Sequence, residues 1–147
     1  MLIALVTSYL ATLAFGVLLH APSRALYWAA LLGAVAQGCV TGLQMAGFSM
    51  ELAIFLGSMG ASILAEVCAR RMKMAVTVFV TLSIIPLVPG LALYRAMASL
   101  AQGASQAGAD MGVSAMITFL MIALGVGMGS FLAGLRRGSA PASPPKG

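Results

Sequence analysis

The stretch IIPLVPGLALYR, Ile84 to Arg95, decides how this chain is read. It lies in one of the most apolar parts of the sequence, yet it holds two prolines, a glycine and an arginine. Proline has no backbone donor and its ring collides with the carbonyl four residues back, so Pro86 and Pro89 are expected to strip the carbonyls of Leu82 and Ile85 of their helical partners. Gly90, directly after them, accepts almost any backbone angle. The expectation is a helix that breaks here and restarts near Leu91.

The surroundings say what kind of solvent that break sits in. Of 147 residues, 61% are hydrophobic and 7% charged, with a mean hydropathy of +1.06. Those values describe an integral membrane protein, with room for about four or five spans of roughly 20 residues and little else. A water-facing enzyme is not expected. The net charge of +5 comes from a few scattered basic residues at the ends of apolar segments, which read as topology signals and not as a nucleic-acid surface. Cys39 and Cys68 both fall inside apolar segments at different depths, so no disulfide is expected between them. One histidine, His20, without clustered ligands gives no metal site, and no cofactor is expected.

Five apolar segments follow one another. The first, Met1 to Leu19, ends at His20-Ala21-Pro22-Ser23-Arg24; a signal peptide is the other reading, but the basic start of such peptides is lacking. The second runs from about Ala25 to Ala46, and the third from about Met50 to Cys68, closed by Arg70, Arg71 and Lys73. The fourth, about Met74 to Leu100, contains the break. A loop from Gln102 to Asp110 is expected before the fifth, Met111 to about Leu135. Residues 1–137 are thus read as one transmembrane helical domain, and 138–147, GSAPASPPKG, as a disordered tail. With five spans and the N-terminus outside, Arg24, Arg70, Arg71, Lys73, Arg136, Arg137 and Lys146 all fall on the cytoplasmic side. Glu51 and Asp110 fall outside. A four-span count, with one early segment re-entrant, breaks this agreement.

Counting about 1.5 Å per residue from Ala75 puts Pro86 roughly 17 Å into the membrane, near its midplane. Irregular backbone is tolerated there only inside protein or beside a water-filled cavity. One reading is a discontinuous helix whose second half aims its positive end at a substrate carboxylate; the other is a kink that shapes packing. Arg95, with Tyr94 beside it, is the one cation outside the charge rule, and it fits either a substrate pathway or an interfacial position reached by snorkelling. Gln37, near the centre of the second segment, needs a polar partner, either a neighbouring helix or substrate. Glu66 and Arg70, spaced i, i+4, favour a local ion pair, with proton coupling by Glu66 as the alternative. Glu51 and Asp110 read as solvated ends. Small residues recur every four positions: Ala30, Ala34, Gly38 and Gly42; Gly57, Ala61 and Ala65; Gly125, Gly129 and Ala133. Such stripes let helices approach closely, within the chain or against a second polypeptide. The eleven methionines read as adaptable packing. No internal repeat makes the chain a complete inverted-repeat carrier.

The stretches APSRALYWAALLGAVAQG (Ala21 to Gly38), EVCARRMK (Glu66 to Lys73) and above all IIPLVPGLALYRAM (Ile84 to Met97) resemble the membrane half of the threonine/serine exporter (ThrE) family, in the form of its small YjjB-like subunit. One departure is the lack of a proline in Met74-Ala75-Val76-Thr77. The resemblance implies a two-part exporter of small carboxylates, threonine and serine or a dicarboxylate such as succinate, with a larger membrane subunit of the same family as partner. The absence of a P-loop argues against ATP drive in this chain, so a secondary exporter in the inner membrane, driven by the proton gradient, is expected. Pro86, Pro89, Gly90, Tyr94, Arg95 and Gln37 are the candidate pathway residues and Glu66 the candidate coupling residue. The rival readings are a non-transporting scaffold that stabilises a partner membrane protein and a pore formed by self-association.

Overall fold

Apolar runs punctuated by glycine, proline and short polar turns produce a chain of helices in the computed structural model, which describes residues 2–135. Six helices follow in order: α1 (Leu2–Leu18), α2 (Ser23–Met45), α3 (Met50–Met72), α4 (Val76–Ile84), α5 (Gly90–Ala101) and α6 (Ser105–Leu135), with a 3₁₀ turn, Ile85–Leu87, between α4 and α5. The expected tail, 138–147, together with Arg136 and Arg137, lies outside the described residues, as does the side chain of Arg24.

Four of the connections share one physical device. After α1, α2, α3 and α5 a single residue turns left-handed, at His20 (φ 54°), Gly47 (φ 90°), Lys73 (φ 53°) and Gly103 (φ 82°). The amide that follows each reaches back five residues: Ala21 to Gly16, Phe48 to Leu43, Met74 to Ala69 and Ala104 to Ser99, at 2.9–3.1 Å. This satisfies carbonyls at the helix ends. Ser49 caps the start of α3, its hydroxyl accepting from the Leu52 amide at 3.5 Å, and Glu51 in the first turn suits the positive helix end.

Helix α2 packs against α1, α3 and α4; α3 also packs against α6, and α5 against α6. One core cluster joins Ala25, Ala29 and Leu32 of α2 to Ala65 and Ala69 of α3 and to Phe79 and Leu82 of α4. A second joins Ala36 and Val40, Ala53, Ile54 and Ala61, Leu87 of the 3₁₀ turn and Ile122 of α6. The interior is alanine-rich, whereas Trp28, Leu64, Leu120, Met128 and Phe131 point outward and are exposed. Small residues within and large apolar ones without is the arrangement expected when lipid covers the surface and close backbone approach drives helix association.

The small-residue stripes divide between uses. In α6, Gly125 and Gly129 sit against the α3 backbone, where an added Cβ on either would lie 2.6 Å from a carbonyl oxygen, of Phe55 and Met59 respectively. Gly57 opens α3 to Val40 and the Ala36 carbonyl of α2, but Gly42 has open space beside it. The seam between α3 and α6 is sewn by hydroxyls. Ser62 donates to the Val126 carbonyl at 3.2 Å and lies 2.9 Å from the Ser130 hydroxyl.

Three helices, Ala25–Met45, Met50–Met72 and Ser105–Leu135, are long and apolar enough to cross a membrane. The pair Val76–Leu87 and Gly90–Ala101, bent by 51°, makes four if it counts as one span. The expected first span, α1, has 17 residues, about 26 Å of helix, and is the short member of the set. The loop expected over Gln102–Asp110 is corrected to a turn at Gln102–Ala104, with α6 starting at Ser105. Alanine, serine and glutamine there are compatible with a helix, and only Gly103 enforces a turn. The third segment runs on to Met72, so Arg70 and Arg71 belong to its last turn.

Candidate functional site

The prolines act as their chemistry requires. Helix α4 stops at Ile84; Ile85–Leu87 tightens into a 3₁₀ turn, and Val88, which precedes a proline, is extended (φ −65°, ψ 124°). Pro89 (φ −79°, ψ 55°) then forms a three-residue turn closed by the Gly90 amide donating to the Val88 carbonyl at 2.8 Å. The carbonyl of Ile85, expected to be left without a partner, accepts from the Val88 amide at 3.3 Å. The 3₁₀ turn recovers that bond. Helix α5 starts at Gly90, with the Leu93 amide donating to the Pro89 carbonyl at 3.1 Å.

This joint is covered by protein on one side. Leu87 is buried in the second core cluster, and Pro86 lies against Gly33 of α2, where an added Cβ would be 3.4 Å from the proline ring and closer still to the Thr12 hydroxyl. The missing side chain at Gly33 is what lets α1, α2 and the joint meet. Ser8 fastens the contact, donating to the Gly33 carbonyl at 3.3 Å, and Thr12 donates to the Ser8 carbonyl at 2.9 Å. Beside them a cavity of about 250 Å³ is lined by Thr7, Ser8, Ala11, Gln37 and Pro86. Two candidate residues from distant parts of the chain, Gln37 and Pro86, therefore share one cavity.

The other candidates are distributed. Pro89 is half-buried, while Gly90 and Tyr94 are exposed, the latter at 70%. Arg95 lines a second cavity of about 380 Å³, between α5 and α6, with Ala92, Asp110, Met111 and Ser114. Glu66 and Arg70 line a third, of about 320 Å³, between α3 and the far end of α6. Glu66 is buried, and Arg70 donates to its carboxylate at 2.8 Å, making the expected ion pair. A second Arg70 bond, 2.7 Å to the Ala133 carbonyl, ties α3 to α6. Among the described residues no group of histidine, cysteine and carboxylate side chains is placed to hold a metal.

Residue reading alone passed over the buried hydroxyls of Ser8, Thr12, Ser58 and Ser62. Their signal was spacing: each pair is four apart within an apolar helix, so both members share one face. The placement of Asp110 in the same cavity as Arg95 was also missed.

Residues 4–132 match the family model described as Threonine/Serine exporter, ThrE, and no solved structure matches the chain. With that match covering most of its length and an all-helical, apolar architecture beneath it, the chain belongs to the threonine/serine exporter family.

Proposed function

We propose that the chain is one membrane subunit of a two-component secondary exporter of small carboxylate-bearing metabolites, threonine and serine or a dicarboxylate such as succinate. It resides in the inner membrane with a larger subunit of the same family as partner and draws on the proton gradient. The observation that carries this reading is the joint at Pro86–Gly90: a span-length element broken near its middle, with the amide-bearing Gln37 sharing a cavity with Pro86. Discontinuous helices with polar groups beside the break are how secondary transporters place ion and substrate sites within the bilayer.

The parts take the following roles. Helix α5 restarts at Gly90, directly after the joint, and its positive end there favours an anionic group beside the break. Arg95 lies five residues on, about 8 Å along the axis, and supplies a full charge on the same route. Gln37 offers a donor and an acceptor to a hydroxyl or carboxylate. Glu66 is the protonatable group suited to coupling, because Arg70, its charged partner among the described residues, also has the Ala133 carbonyl to hold it in place. Gly60, Gly112, Gly127 and Gly134 have open space beside them, which suits the approach of partner helices.

Cells loaded with labelled threonine, serine and succinate test the reading. With both subunits present, at least one label should leave several-fold faster than from cells lacking this chain, and Arg95→Ala should slow that efflux about tenfold at an unchanged membrane level, a change of ~1.4 kcal/mol. Retention of all three labels regardless of either subunit removes the proposal. Efflux by the partner alone, with this chain needed only for the partner's abundance, makes it a scaffold instead.

A further inference from the structure

The cavity at the far end of the seam between α3 and α6 sets a tethered guanidinium above an apolar wall. Ile63, Glu66, Val67 and Arg70 recur at three- and four-residue spacing, so one face of α3 supplies one side of this space of about 320 Å³. Leu132 and Ala133 of α6 supply the other. The charged pair is held in place: Glu66 is buried, and Arg70 reaches its Oε2 at 2.8 Å and the Ala133 carbonyl at 2.7 Å, crossing from one helix to the other. Both bonds use the same nitrogen, Nη2, so Nε and Nη1 keep donors for which the described residues supply no acceptor. The Arg70 side chain is 38% exposed, which leaves that edge open to a ligand. Toward the membrane interior the wall turns apolar. Val67 and Leu132 are exposed, so the cavity opens onto the surface that lipid covers, and Ile63 lies about two turns in from Arg70.

Positive charge gathers at this end. Arg71 and Lys73 follow Arg70 and are exposed, and in the sequence Arg136 and Arg137 come directly after Leu135, where α6 ends. Glu66 is the carboxylate set among them, and Arg70 already neutralises it. A pinned guanidinium at the head of an apolar groove, at the end of the bundle that the charge rule assigns to the cytoplasm, suits a ligand with an anionic head and a hydrocarbon body. We propose that this cavity binds one anionic phospholipid of the cytoplasmic leaflet, its phosphate on Nε and Nη1 of Arg70 and an acyl chain along Val67, Ile63 and Leu132. Arg71 and Lys73 draw anionic headgroups toward this end, whereas the groove is what distinguishes a lipid from a soluble anion. The lipid extends the contact between α3 and α6 outward and braces it, whatever the chain transports.

The test mixes the full-length chain, purified in detergent, with phosphatidylglycerol, with phosphatidylcholine of the same acyl chains, or with soluble glycerol phosphate, and reads bound lipid by native mass spectrometry. Phosphatidylglycerol should be retained about tenfold more than phosphatidylcholine, and glycerol phosphate at the same concentration should not displace it. Val67→Trp fills the apolar wall and leaves every charge in place; it should cut phosphatidylglycerol retention about tenfold in a folded chain. Arg71→Gln combined with Lys73→Gln should leave most of the retention, and Arg70→Ala should erase the preference between the two lipids. Should the Arg70→Ala chain fail to fold, Val67→Trp and the double variant decide. Equal retention of both lipids overturns the proposal, as does retention that survives Val67→Trp or a loss that follows Arg71 and Lys73 instead. Displacement by glycerol phosphate overturns it as well, because the site would then hold a soluble anion.

Discussion

The seam between α3 and α6 and the joint between α4 and α5 handle backbone polarity in opposite ways. Along the seam both helices are continuous, and residues of α6 four apart press on α3: Gly125 and Gly129 against carbonyls, with Ser130 and the Val126 carbonyl bonded to Ser62 and the Ala133 carbonyl bonded to Arg70. At the joint the helix itself is interrupted, and the Ile85 and Val88 carbonyls are met by a 3₁₀ turn and a three-residue turn, with a cavity alongside Pro86. Close glycine contact tolerates little movement, because the neighbouring atoms are backbone. The joint, with Val88 and Gly90 exposed, is held by far less. Motion that carries substrate is therefore expected at the joint, with α3 and α6 as the fixed frame.

Breaking the frame should have the largest effect. Gly129→Val inserts a branched side chain where even a Cβ would lie 2.6 Å from the Met59 carbonyl and 2.9 Å from Ser62, so α3 and α6 must separate. A loss of about 3 kcal/mol or more is expected, read as unfolding in detergent or as loss of folded protein from the membrane; a variant as stable as wild type means the seam is not the frame. Next comes Arg70→Ala, which removes two bonds and leaves the buried Glu66 carboxylate alone, with an expected cost of about 1–3 kcal/mol. Glu66→Gln keeps the Ala133 bond available and should cost under about 1 kcal/mol. Equal costs for the two would assign the tie to the ion pair and not to the α6 carbonyl.

At the joint the signature should reverse. Pro86→Ala removes a break signal, so stability should hold or rise while efflux falls about tenfold, ~1.4 kcal/mol in the barrier. A Pro86→Ala chain that loses stability and efflux together would make the joint part of the frame. A small change of opposite sign lies away from both regions: Lys73→Gly relieves a left-handed residue at the end of α3 and should add up to about 1 kcal/mol of stability with efflux unaltered.

The joint was legible in the sequence because proline and glycine act on their own backbone, whatever surrounds them. The apolar segments were legible for a similar reason, since length and hydropathy are properties of a single run. The start of α6 was not: Gln102 to Asp110 looks like a loop by composition, and the helix persists there because Gly108 docks on the end of α5. That same docking carries Asp110 to the cavity that Arg95 lines, a placement no local pattern announces. Gln37 was readable as needing a partner, but its proximity to Pro86 depends on Gly33 letting three elements converge. Tyr94, adjacent to Arg95 in sequence, shows the reverse, being turned outward by the helix period.

The claim beneath all of this is that the joint borders water inside the membrane. Ala11 lines its cavity alongside Gln37 and Pro86, and Ala11→Cys in a chain with Cys39→Ser and Cys68→Ser places a small thiol there. In intact membranes a charged, impermeant thiol reagent should label this cysteine, and exported substrate should slow the reaction. No reaction with the charged reagent, alongside ready reaction with a lipid-soluble one, would mean that the broken helix faces a dry interior and carries nothing.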